Sequence, residues 1–159
     1  MPMKKTLSKI RGFTIVELLV TIAIIALLTG IVITSLVPAK GKARDAKRIS
    51  DIGNIQLALE LFFDRCKEYP ATITTGATAT GCPGGITLDS YISVVPTQPD
   101  SSPYSYTTSG SPTLNDYVLM VSLENYNEIL KDDLDGTQLG IACGANTDTP
   151  EKIYCLGPK

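Results

Sequence analysis

Residues 18–39 carry no charge and are dominated by Leu, Ile, Val and Ala. At 1.5 Å per residue, a helix over those positions spans about 33 Å, enough for a bilayer core of roughly 30 Å. Beyond it the pattern becomes amphipathic. Ile49, Ile52, Ile55, Leu59, Phe62, Phe63 and Cys66 recur at three- and four-residue spacing, which predicts a second helical stretch with one apolar face, broadened by Leu57 and Leu61. Pro38 and Gly41 lie between the two patterns. Because proline removes a backbone donor and crowds the preceding turn at a cost of about 3 kcal/mol, a kink or melted turn is expected within 34–41. Pro70 stops the second stretch.

Residues 71–90 are rich in Thr, Gly and Ala, with Gly81-Cys82-Pro83-Gly84-Gly85 as turn chemistry, and read as a loop rather than a core element. A short segment at 91–95 precedes Pro96, Pro99 and Pro103, a rigid connection. Two β-rich stretches follow, 104–108 and 117–123, separated by Gly110-Ser111-Pro112, which predicts a hairpin. Its apolar side is expected to cover the helix face running from Ile49 to Cys66. The fold class is therefore α+β, a long N-terminal helix packed on a small antiparallel sheet.

Charge changes the picture by its distribution, since the net value of -2 is unremarkable. Lys4, Lys5, Lys9 and Arg11 precede the apolar run. Lys40, Lys42, Arg44, Lys47 and Arg48 follow it against Asp45 alone, and from Ile49 onward five basic residues face fourteen acidic ones. An acidic body of this kind argues against a specific nucleic-acid partner. The chain has no histidine, so a Ser-His-Asp or Cys-His catalytic site cannot be built, and no enzymatic activity is expected. Cys66, Cys82, Cys143 and Cys155 form two sequence-local pairs in Gly-, Thr- and Asn-rich surroundings. In an exported chain they read as disulfides Cys66–Cys82 and Cys143–Cys155, because local closure needs the least rearrangement; in a cytosolic one they would be four free thiols.

An ordinary secretory signal is cut after its apolar stretch, where Val37-Pro38-Ala39-Lys40 offers a poor site. A different cue lies before the stretch, in Arg11-Gly12-Phe13-Thr14-Ile15-Val16-Glu17-Leu18. This segment resembles the class III leader of type IV prepilins and type II secretion pseudopilins. The resemblance extends over residues 11–70 and implies a pilin-like fold, cleavage between Gly12 and Phe13 by a prepilin peptidase, and methylation of the new amino terminus at Phe13. It divides the chain into a leader at 1–12, a transmembrane and filament-core helix at 13–39, an amphipathic helix at 40–69, and a loop, sheet and disulfide-closed region at 70–159. Many relatives carry a proline one turn earlier than Pro38, where this chain has Thr34.

Glu17 is a carboxylate inside a membrane helix, a placement that costs about 2.5–3.5 kcal/mol at the helix centre and less near an end. The resemblance implies that it pairs with the amine of Phe13 on an adjacent subunit. It could instead snorkel to the interface or serve the positive end of its own helix. Asp132, Asp133 and Asp135, beside Gly136, are either a structural calcium site, as the resemblance to pseudopilins suggests, or a solvated acidic turn. No other cofactor is expected.

The resemblance implies a subunit of a type IV pilus-like filament, polymerised from the inner membrane by an assembly platform together with other pilins. A pseudopilin of a type II secretion system is the alternative, and a membrane-tethered extracytoplasmic enzyme the remote one. Either filament reading places a single-pass helix in the inner membrane, with the domain outside the cytoplasm, before release into an extracellular or periplasmic filament.

Overall fold

The computed structural model describes residues 12–110, 114–144 and 152–158, so the leader positions before Gly12 lie outside the described residues. One helix, α1, runs from Ile15 to Cys66 without interruption. The chain forms two compact units, Met1–Ala39 and Lys40–Lys159. In the first, the apolar side chains of α1 are bare, from Ile15 at 83% exposed to Leu36 at 49%. They have no core to enter. By length and composition this helix can cross a membrane.

The melted turn expected within 34–41 is not present: α1 stays helical through Pro38 and Gly41. Unwinding a turn exposes several backbone groups, each costing several kcal/mol in lipid, which outweighs the single hydrogen bond that proline cannot make. Gly41 has a packing role instead of a hinge role. A β-carbon there would stand 3.0 Å from Asn125 Nδ2, so any other residue requires that side chain to give by a few tenths of an ångström.

In the second unit α1 buries Ile52, Ile55, Leu59 and Phe62 completely. Leu57 and Leu61 do not broaden this face; they are 60% and 46% exposed. The helix ends at Cys66, three residues before the expected boundary at 69. Lys67 adopts a left-handed conformation, φ 59°, and its N–H closes on the Phe63 carbonyl at 2.8 Å, a backbone cap that stops the helix before Pro70 can.

The predicted hairpin is β1 (Ser105–Thr108) with β2 (Tyr117–Ser122), antiparallel, Tyr106 opposite Leu119. A hairpin of two-residue strands, β3 (Thr137–Gln138) and β4 (Ile141–Ala142), forms a separate sheet. The last strand, β5 (Ile153–Leu156), pairs with the other edge of β2, so the main sheet runs β1-β2-β5. β2 is covered on both sides. Tyr117, Leu119 and Val121 join the α1 core, whereas Val118 packs with Cys143 and Cys155 in a smaller cluster that includes Met120, Leu134, Ile141 and Ile153 at its margin. An unbroken apolar run such as Tyr117-Val118-Leu119-Met120-Val121 is what two-sided burial requires. The stretch 71–90 is a loop, as expected, but it also contributes to the core. It contains a single 3-10 turn, Leu88–Ser90, with Leu88 fully buried in the main core and Ala77 beside it.

Candidate functional site

The chain is non-helical from Gly12 to Thr14 and turns helical at Ile15, so the Gly12–Phe13 bond lies in non-helical backbone ahead of the first turn, and Phe13 is almost fully exposed. Both features suit entry into a peptidase. Thr14 then starts the helix. Its N–H and its hydroxyl both donate to Glu17 Oε2, at 2.9 and 2.8 Å, and its hydroxyl oxygen accepts from the Glu17 N–H at 3.2 Å. This reciprocal arrangement is a capping box, in which a threonine and a glutamate three residues later satisfy each other's backbone donors. Thr14 is the residue that sequence reasoning overlooked, although Thr-x-x-Glu before an apolar run was a legible signal.

At the start of the second unit, five side chains form a charged clamp. Asp45, 3% exposed, accepts from the Glu124 and Asn125 amides at 2.8 and 2.9 Å, from the Asn125 side chain at 2.8 Å, and from Arg48 at 2.9 Å. Arg44 and Arg48 both donate to Glu124 Oε1, at 2.7 and 2.9 Å. Burial pushes the Asp45 carboxyl up, but the four donors together outweigh it and hold the group below its ordinary value. The hydrogen bonds from Arg44 and then Arg48 pull Glu124 down to about 2. The clamp fixes the segment that follows β2 onto α1.

Two disulfides are present, Cys66–Cys82 and Cys143–Cys155. The first ties the end of α1 to the 71–90 segment across a sequence separation of 16, the second closes the C-terminal region across 12. Loops of that size gain about 3 kcal/mol each on the chain-entropy model. Asp133, which precedes this closed region, accepts from the Cys155 amide at 2.7 Å and so ties its own segment to β5. Among the described residues no three His, Cys, Asp or Glu side chains stand together as a metal-holding group, so Asp132, Asp133 and Asp135 do not form a three-carboxylate cluster.

A non-helical stretch after a basic leader, a capped and bare apolar helix, and a small sheet packed on the helix's second half define a membrane-anchored, pilin-type subunit. The family model of the prokaryotic N-terminal methylation motif matches residues 7–33. The type II secretion system core protein G of Pectobacterium carotovorum subsp. carotovorum is 31% identical over 106 residues, 63% of this chain and 68% of the relative. That of Aeromonas hydrophila is 30% identical over 105 residues, 62% and 73% of the two chains. That of Escherichia coli K12 is 39% identical over 64 residues, 40% and 44% of the two. No solved structure matches significantly. The chain belongs to the type IV pilin and type II secretion pseudopilin family.

Proposed function

We propose that this protein is the pseudopilin of a type II secretion system, a structural subunit without enzymatic activity whose filament grows from the inner membrane toward the periplasm. The observation that carries the choice over a type IV pilus is the length of the similarity. A leader and apolar helix are common to both assemblies, whereas alignment over 106 residues to the secretion relative exceeds the 52 residues of α1 and must include the domain. Deleting the gene should abolish export of the host's secreted proteins and leave long surface filaments in place. Lost surface filaments with export intact would reverse the choice and return the chain to a pilus.

In this reading the basic leader stays cytoplasmic, a prepilin peptidase cuts between Gly12 and Phe13, and the domain lies outside the cytoplasm, where its disulfides persist. Mass spectrometry of the mature chain should find Phe13 first and one methyl group heavier than its sequence. A mature start after residue 37 would contradict it.

The proposal extends to a structural calcium ion. The segment ahead of the closed C-terminal loop offers two half-buried carboxylates, Asp133 and Asp135, with Asp132 more exposed beside them. Calcium takes about six to eight oxygens, so main-chain carbonyls and water would complete the shell. Chelation at neutral pH and fixed salt should lower the melting temperature of the purified domain; an unchanged curve leaves an ordinary acidic turn.

A further inference from the structure

Five basic side chains follow the apolar run within residues 40–48, and three of them are engaged inside the domain. Arg44 and Arg48 hold Glu124 and Asp45, and Lys47 bonds Asp51 and the Thr97 carbonyl. Lys40 and Lys42 are exposed and have no ion-pair partner among the described residues. Membrane topology does not call for them. Basic residues set topology from the cytoplasmic side, which the leader already marks with Lys4, Lys5, Lys9 and Arg11. Exposed lysines are ordinary on a surface. What distinguishes Lys42 is the groove beside it.

That groove, of about 290 Å³, is lined by Lys42, Asp45, Asn125, Tyr126, Asn127 and Glu128. Its two carboxylates are already neutralised, Asp45 by Arg48 and Glu128 by Lys131. The Asn127 side-chain oxygen accepts from the Ile129 amide at 3.1 Å, and its two N–H donors have no acceptor among the described residues. Tyr126, 47% exposed, adds a hydroxyl and a half-bare ring. The groove therefore offers a free cation, an unused amide donor and a hydroxyl, with no uncompensated negative charge. Such a donor set suits a singly charged anion of the phosphodiester kind.

Position selects the source of that anion. Lys42 stands three residues past Ala39, the last of the uncharged run, so the chain can carry it no more than about 11 Å from the end of the apolar segment, whatever the angle of the domain. The run itself fills a hydrocarbon core, and the head-group layer beyond takes up about 5–8 Å on each side. A lysine side chain reaches across the remainder. Tyrosine is enriched at the same level, where its ring meets the apolar edge and its hydroxyl meets water. We propose that the groove binds the phosphodiester head group of an anionic phospholipid and so holds the domain at the bilayer before assembly. The inference rests on the filament reading for which leaflet supplies the lipid, the one outside the cytoplasm, and for its release when the subunit leaves the membrane.

The test uses the full chain in vesicles of phosphatidylcholine with increasing phosphatidylglycerol. It reads hydrogen exchange at the N–H groups of residues 126–128, which have no backbone acceptor among the described residues. Phosphatidylglycerol should slow exchange there. Lys42→Gln should raise roughly fivefold the phosphatidylglycerol fraction that gives half of the effect, the ratio equivalent to about 1 kcal/mol for a basic residue at an anionic surface, and Lys42→Arg should restore it. Lys40→Gln, outside the groove, should shift it far less. Exchange indifferent to phosphatidylglycerol, or to Lys42→Gln, would overturn the inference. Equal shifts from Lys40→Gln and Lys42→Gln would mean diffuse attraction and overturn it too. Glycerol phosphate added to phosphatidylcholine vesicles separates the sources, since protection equal to that from the lipid would assign a free phosphate site instead. A deletion strain keeps the two readings apart. Export intact there, with lipid protection present, would sink the pseudopilin reading and leave the groove standing, whereas export lost with no lipid protection would sink the groove alone.

Discussion

Replacing Glu17 with alanine should leave membrane insertion and cleavage after Gly12 intact and remove filaments almost completely. Subunits leaving the bilayer bury their apolar helices against one another, and such packing alone does not fix axial register. In the proposed filament a carboxylate would, because in an apolar core it is tolerated only beside a cation, and the free amine of Phe13 on the incoming copy would be the cation at that depth. The capping box supplies a rival explanation that alanine cannot exclude, since Glu17 also closes the first turn with Thr14. Glutamine separates the two. It keeps the acceptor that a capping box uses and removes the charge. If the charge pair drives assembly, Glu17→Gln fails as badly as Glu17→Ala, and Thr14→Ala assembles nearly normally at a cost of about 1 kcal/mol in helix stability. Normal filament counts from Glu17→Gln, scored by electron microscopy, would assign Glu17 to the cap alone.

The two helical stretches, the hairpin and the sequence-local cysteine pairs were legible because each depends on short-range pattern. What escaped depends on what the chain meets elsewhere. Leu57 and Leu61 fit an apolar helix pattern and yet face outward, since periodicity counts apolar residues without knowing which face the sheet occupies. Ile153-Tyr154-Cys155-Leu156 is too short to declare itself a strand; it becomes one because the free edge of β2 is there to pair with. Leu88 lay in a segment whose composition marks a loop, and the Cys66–Cys82 bond brings that segment onto the end of α1. At the candidate site, Glu17 and the Gly12–Phe13 bond stood out as local motifs. The Asp45 clamp could not, because its partners Glu124 and Asn125 lie about eighty residues away in sequence.

The largest loss of stability from a single substitution is expected at Asp45. Asparagine there keeps the size but replaces one acceptor oxygen with a donor nitrogen facing N–H groups, and it leaves Arg48, itself 7% exposed, with Glu124 as its remaining ion-pair partner among the described residues. Breaking a buried ion pair by removing one partner costs about 3–5 kcal/mol, which for a domain of this size lowers the melting temperature by on the order of 10 °C or more. The same clamp sets an acid limit. Asp45 and Glu124 both hold their protons less tightly in the folded chain than in the unfolded one. The stabilisation they give is therefore fully present above the unfolded carboxylate range, about 4, and is lost as pH falls through the folded values, about 2 for Glu124. Melting curves should be nearly flat from pH 7 to about 5 and fall steeply below about 4. Asp45→Asn should lower the plateau and flatten the fall, because one of the two linked groups no longer titrates. A variant that melts within about 2 °C of the parent at pH 7 would show that the clamp positions the Glu124–Asn125 segment without stabilising the domain.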